Sequence, residues 1–205
     1  RISTPEEALT AYQAGELHTL TVFGSEPGAV FPHGRARREP AYSRILYSLA
    51  FRTESRCFRD EDARRAAAAA LDRTAFASQW LEPAYLFEPP WSEHWTARAQ
   101  EEELEALEAA RAPLSGTAVL LFRDDAGTLR EMARLVAEQL SAEGLKVTLD
   151  ARTGEDYARA REQGAWELLL RRTELPEDGF AEGGAAGCAE TPLAFAKGVT
   201  YTHIE

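Results

Sequence analysis

The segment from Thr117 to Asp150 constrains the fold more than any other. Ala118 to Phe122 (AVLLF) is an apolar run that reads as a strand. A helical stretch follows from about Ala126 to Glu143. Its Leu129, Met132, Ala133, Val136 and Leu140 fall at i, i+3, i+4, i+7 and i+11, one continuous stripe. Gly144 closes that helix. Leu145, Val147 and Leu149 then alternate with Lys146 and Thr148, the pattern of a half-buried strand. Strand, helix and strand in this order make a βαβ unit with a right-handed crossover, and hence an α/β layer fold.

The flanking segments extend the alternation. Pro5 to Ala14 reads as a short helix, capped by Thr4 or Ser3, with Pro5 in the first turn and Gly15 as the stop. His18 to Phe23 reads as a strand. Residues 24–40 carry Gly24, Pro27, Gly28, Pro32, Gly34 and Pro40 and are expected to form a long flexible loop. Tyr42 to Phe51 reads as a strand and Asp60 to Trp80 as a helix. In that helix Asp60, Glu61 and Asp62 lie at the positive end, and Ala66 to Ala70 with Leu71, Phe76 and Trp80 form a close-packed buried side. Glu82 to Trp95 is an aromatic, proline-rich irregular loop, and Ala97 to Arg111 an acidic surface helix. A short helix spans Gly154 to Glu162, followed by a strand from Trp166 to Leu170. A second flexible loop is expected over residues 176–190, and one or two strands from Thr191 to Thr202. No internal repeat or inner boundary divides residues 1–205, which read as one α/β domain.

Charge and cysteine usage exclude several classes. The chain has 205 residues, 34 acidic against 23 basic side chains, and a formal net charge of −11. That balance counts against a nucleic-acid surface, which needs a basic face. The one basic cluster, Arg35, Arg37 and Arg38, reads as a solvated loop. No apolar run is long enough for a transmembrane helix. Cys57 and Cys188 are too few for a disulfide scaffold or a four-cysteine zinc site. Two unrelated thiols are the favoured reading, and one long-range disulfide the other.

Catalytic and metal signals are thin. His18, His33, His94 and His203 are scattered, and none shares a helix face with another ligand-type side chain, so no metal and no cofactor is expected. The serine elbow, the phosphate loop and the dinucleotide fingerprint do not occur. Cys57, between Arg56 and Arg59, reads as a small side chain at a strand end rather than a nucleophile. Glu101, Glu103, Glu105 and Glu108 form the solvated side of a helix with Leu104 and Leu107 inside. An enzyme is therefore not expected. The aromatic loop is more informative: Tyr85, Phe87, Trp91 and Trp95 are interrupted by Pro83, Pro89 and Pro90. Such a rigid loop either walls a ligand cleft or plugs the core beneath it. Arg171 and Arg172, at the end of the Trp166 strand, either meet an acidic group in a cleft or pair with Glu174 or Glu177.

The order of segments resembles the C-terminal lobe of the extracellular solute-binding proteins of the peptide and nickel class, family 5, which feed ABC importers. "PEEALTAYQAGEL" resembles that family's helix and Gly-Glu-hydrophobic turn, with His18 where an Asp is usual. "YSLAFRTESRCFRDEDARRAAAAALDR" is similar to its strand, short loop and Ala-rich helix. Arg52 replaces the strand-end Asn, Arg64 or Arg65 takes the arginine's place, and Leu71-Asp72-Arg73 matches the helix end. Leu140, Gly144, Leu145 and Val147 match the end of the family's later helix. Tyr157 and Trp166-Glu167-Leu168 follow in the family's order. After that point the family carries a Gly/Trp-rich, Asp-Pro-containing pocket wall, where this chain has Arg171-Arg172-Thr173.

The resemblance implies a mixed sheet flanked by helices, one lobe of a two-lobed periplasmic-binding-protein-like fold. It implies a small solute or oligopeptide as ligand, held between this lobe and an N-terminal lobe of the same protein. It further implies an ABC permease as partner and an extracellular location, periplasmic or lipid-anchored. Arg52, Trp91, Trp95, Arg171 and Arg172 are the cleft residues expected on this reading. The alternative is a metabolite-sensing domain behind a helix-turn-helix in a cytoplasmic regulator.

Overall fold

The structure, a computed structural model, describes residues 4–24, 29–125, 127–175 and 189–204. In chain order these form α1 (Pro5–Gln13), β1 (Thr19–Val22), β2 (Ala36–Phe51), α2 (Glu61–Ala69), a 3-10 turn (Arg73–Phe76), β3 (Leu81–Pro83), α3 (Ala97–Ala109), β4 (Thr117–Arg123), α4 (Gly127–Ala142), β5 (Lys146–Arg152), α5 (Gly154–Glu162), β6 (Leu168–Glu174) and β7 (Glu190–His203). The strands build one mixed sheet in the order β1-β7-β2-β6-β4-β5, with β3 added on β7. β5, β4 and β6 run parallel, while β2 is antiparallel to both β6 and β7.

Strand periodicity sorts the apolar side chains onto two faces. On one face Tyr47, Leu49, Leu120, Phe122, Leu168 and Leu170 join Ala67 and Ala68 of α2 and Met132, Val136 and Leu140 of α4 in the main core. On the other, Ala50, Leu121 and Leu169 pack under α5 with Ala160, Tyr157 and Trp166. The same face carries a smaller cluster of Leu46, Phe195 and Leu175 with Ala84, Phe87 and Trp91 of the aromatic segment. Both apolar stripes read from the sequence, on α4 and on α2, are therefore core.

β2 and β7 outrun the rest of the sheet. Their outer halves, Ala36–Tyr42 against Lys197–His203, form a ribbon. There Tyr12 of α1, Val22 and Tyr201 make a separate small core. Ser43 marks the change of register between the two halves: its hydroxyl donates to the Ala196 carbonyl at 2.8 Å and accepts from the Ile45 N–H at 3.2 Å.

Several expectations are corrected. The loop expected over 24–40 ends at Arg35, because β2 begins at Ala36 and takes in Arg37, Arg38 and Pro40. A proline fits there because this half of β2 pairs with β7 and meets β6 only from Ile45 onward. The helix expected over Asp60 to Trp80 stops at Ala69. Asp72 caps a new turn, accepting from the Thr74 N–H at 2.9 Å, and Arg73 donates to the Ala68 carbonyl at 3.0 Å. Leu81–Pro83, read as loop from Glu82, pairs with Ala194–Ala196. Leu149 is exposed rather than half-buried, because β5 is the sheet edge. The strand placed at Trp166 begins at Leu168, and the Trp166 indole instead donates to the Arg161 carbonyl at 3.1 Å. Of the loop expected over 176–190, residues 176–188 lie outside the described residues, and Glu190 opens β7.

Candidate functional site

In a sheet with parallel strands, ligands favour the crevice at the strands' carboxyl ends. Here that edge is formed by the ends of β4, β5 and β6, beside the aromatic segment. Because β6 extends to Glu174, Arg171 and Arg172 lie inside the strand and turn to opposite faces. Arg171 follows Leu169 on the α5 face, opposite Ser48 of β2. Arg172 follows Leu170 on the main-core side, opposite Tyr47.

Arg171 is part of a polar group. Its Nη1 donates to Glu190 Oε2 at 2.7 Å, and the buried Ser48 hydroxyl donates to the other oxygen of the same carboxylate. Trp91 stands at the same end of β6, packed near Leu175, with Tyr42 stacked on it at 4.6 Å and Phe195 edge-on at 5.3 Å. Tyr42 is 53% exposed, so the stack presents an open aromatic surface. Trp91 and Phe87 of the aromatic segment pack on the small core, the second of the two roles its sequence allowed, and Tyr42 of β2 covers Trp91 from outside.

The other two expected residues stand apart. Arg52 lies at the amino end of β6, where its backbone N–H donates to the Glu167 carbonyl at 2.9 Å and its guanidinium to the Gly164 carbonyl. Trp95 is half-buried in a turn, its N–H donating to the Ser92 carbonyl at 3.3 Å. Trp91 and Arg171 lie on the same face of the sheet, with different partners, while Arg172 turns to the other face, Arg52 lies at the amino end of β6 and Trp95 lies in a turn.

Sequence reading missed Tyr42, Ser48, Glu190, Arg123 and Tyr157. Burial under α5 holds the Tyr157 hydroxyl above its ordinary range, while Arg161, Arg171 and Arg123 pull it down. The overlooked signal is that two apolar runs are each followed directly by arginine, LLFR and LLLR. Cys57 packs on the main core, its thiol donating to the Thr117 carbonyl at 3.1 Å, whereas Cys188 lies outside the described residues. Among the described residues no group of His, Cys, Asp and Glu side chains converges as a metal site. No described helix is long and apolar enough to cross a membrane.

Comparison with known proteins bears on this arrangement. The family model of the bacterial extracellular solute-binding proteins, family 5, middle region, matches residues 1–174. The chain belongs to this family. No curated protein matches the sequence. Among solved structures, the Listeria monocytogenes ABC transporter substrate-binding protein CtaP is similar at a TM-score of 0.67 and 12% identity, over 98% of this chain and 54% of that one. The Bacillus subtilis oligopeptide-binding protein AppA, solved with a nonapeptide, gives 0.59 and 15%, over 98% and 54%. The Escherichia coli murein tripeptide binding protein MppA gives 0.59 and 14%, over 94% and 50%. Identities this low show a shared fold, the periplasmic-binding-protein-like lobe. The chain spans about half the length of these solved relatives.

Proposed function

We propose that this chain is the solute-binding lobe of an ABC importer's receptor, acting outside the cell membrane on a peptide or similar small solute. Membership of family 5 supports the transport role, and relatives solved with a nonapeptide or described as tripeptide-binding support the solute class. The observation that carries the reading is the joint placement of Trp91 and Arg171 at the carboxyl end of β6. An aromatic platform accepts apolar side chains of varied shape, and a guanidinium meets charge. Water can fill what a given solute leaves empty.

On this reading residues 1–205 form one lobe. A second lobe of the same protein supplies the opposing wall, closure about a hinge traps the solute, and a membrane permease receives it. One lobe makes only half of the contacts. The 205-residue chain is therefore expected to bind peptides with a Kd weaker than about 10 μM. Isothermal titration with mixed tri- to pentapeptides tests this. Millimolar binding is the expected result, and a Kd tighter than about 10 μM would contradict the half-site reading.

A further inference from the structure

The histidines are far apart in sequence, yet the ribbon gathers His18, His33 and His203 at its outer end. Tyr201 and His203 are two positions apart on β7 and so share a face. That face carries Tyr12 of α1, which packs with Tyr201 and Val22 in the small core. The His203 ring lies flat on the Tyr12 ring, with 4.2 Å between centroids and 9° between planes. Its Nε2 donates to the Tyr12 carbonyl at 2.7 Å, since a carbonyl only accepts. His18 stands across the ladder, its carbonyl accepting from the His203 N–H at 3.2 Å. His33 lies in the segment before β2. Gly34 follows it at φ 110°, a conformation that suits glycine, and turns the chain into Arg35 and the start of β2.

Between these segments lies a cavity of about 270 Å³. It is lined by Tyr12 of α1, Tyr201 and His203 of β7, and Pro32, His33 and Arg35 of the segment before β2. Its volume is just under that of small-ligand pockets, about 300–1,000 Å³. Among the described residues no Asp or Glu lines it, although the chain has 34 acidic side chains against 23 basic ones. The neighbouring arginines are engaged: Arg37 pairs with Glu39 at 2.6 Å, and Arg38 lies 5.5 Å from the Tyr201 ring centroid. Arg35 and His33 have no ion pair or side-chain hydrogen bond among the described residues. Arg35 therefore keeps five N–H donors and an uncompensated charge for a ligand. With its Nε2 spent, His203 has Nδ1 left.

We propose that the outer end of the ribbon is a second binding site, for a small phosphate-type oxyanion held by Arg35, His33 and His203. A tetrahedral oxyanion suits donors that come from separate segments, because its oxygens accept in several directions, whereas a carboxylate accepts in one plane. Its source is either the free ion or a small phosphate monoester. The site goes beyond the solute reading and does not depend on it. From Ala36 to Tyr42 of the Trp91 stack, β2 spans about 20 Å at about 3.3 Å per residue, so the cavity is separate from the crevice at the end of β6.

The test follows the Arg35 Nε–Hε signal and the His33 and His203 ring C–H signals by NMR of the 205-residue chain. Sodium phosphate, glycerol phosphate or sodium acetate replaces sodium chloride at constant pH and ionic strength. The expected result is saturable movement of all three signals, with half-effect below about 10 mM phosphate and at least about fivefold higher for acetate. Arg35→Gln should weaken the phosphate response about fivefold or more, while Arg37→Gln, whose charge is paired with Glu39, should change it less than about twofold. Both side chains are exposed, so Tm should stay within about 2 °C. A tighter response to glycerol phosphate than to phosphate assigns a monoester, and the reverse assigns the free ion. No saturable movement up to about 50 mM phosphate, an equal response to acetate, or equal losses from Arg35→Gln and Arg37→Gln overturns the site and leaves the solute reading untouched.

Discussion

Arg73 and Thr191 are joined through the interior: the guanidinium Nη2 donates to the Thr191 hydroxyl at 2.8 Å. The same guanidinium donates to the carbonyls of Ala68 at 3.0 Å, Leu71 at 2.9 Å and Pro192 at 3.2 Å, and lies 5.5 Å from the Tyr85 ring centroid. One buried side chain thus ties the end of α2 and the start of β7 to the aromatic segment. Burial draws its pKa down to about 10, against the pull of Tyr85, Glu103 and Asp72, so it stays charged at neutral pH. Replacing it strands buried acceptors. Arg73→Leu should lower stability by about 2–4 kcal/mol, seen as a fall of several degrees in Tm by circular dichroism. An unchanged Tm would contradict this account of the junction.

Gly198 lets β1 close on β7. A Cβ there would stand 2.2 Å from the Val22 carbonyl oxygen and 2.7 Å from the Phe23 ring. Backbone cannot step aside as a flexible side chain can, so Gly198→Ala should release β1 and α1 from the ribbon. Hydrogen exchange is the check. Residues 19–22 and 199–202 should lose protection about tenfold or more, with β4 unaffected.

Glu103 gives a pH signature. Its carboxyl lies above the ordinary range because burial outweighs the attraction of Arg73 and Arg65. The folded state therefore takes up this proton before the unfolded state does, and the advantage present in acid is lost as pH rises through the folded pKa. Glu103→Gln should raise Tm slightly at pH 7, with the gain shrinking toward zero below the ordinary carboxylate range. A gain that persists or grows in acid would be inconsistent with this.

Arg171 and Arg172 are separable by face. In the intact receptor, Arg171→Ala should weaken peptide binding about tenfold or more. Arg172→Ala, opposite Tyr47 and on the other face, should change it less than about threefold. Equal losses from the two would place the ligand across the strand end rather than on the α5 face.

The fold was legible wherever burial repeats at a fixed period. The stripe from Leu129 to Leu140 named α4 and its βαβ partners without tertiary information. Boundaries failed where a side chain or a neighbouring strand decides them. Arg73 ends α2 by satisfying its carbonyls through long-range placement, and Pro40 is tolerated only because of which strand flanks β2. The site was half legible. Residue type singled out Trp91 and Arg171, but β6 runs on to Glu174 rather than ending at Leu170, and so turns Arg172 to the other face. The partners of Arg171, Ser48 across β2 and Glu190 at the start of β7, depend on register between strands distant in sequence, which no local pattern contains.

Native mass spectrometry of the parent protein purified from its host tests the central claim most directly. A solute-binding lobe closed on its cargo should retain a peptide or other small solute, released on denaturation. Protein that is consistently empty of any small solute, and that retains DNA instead, would contradict the receptor reading.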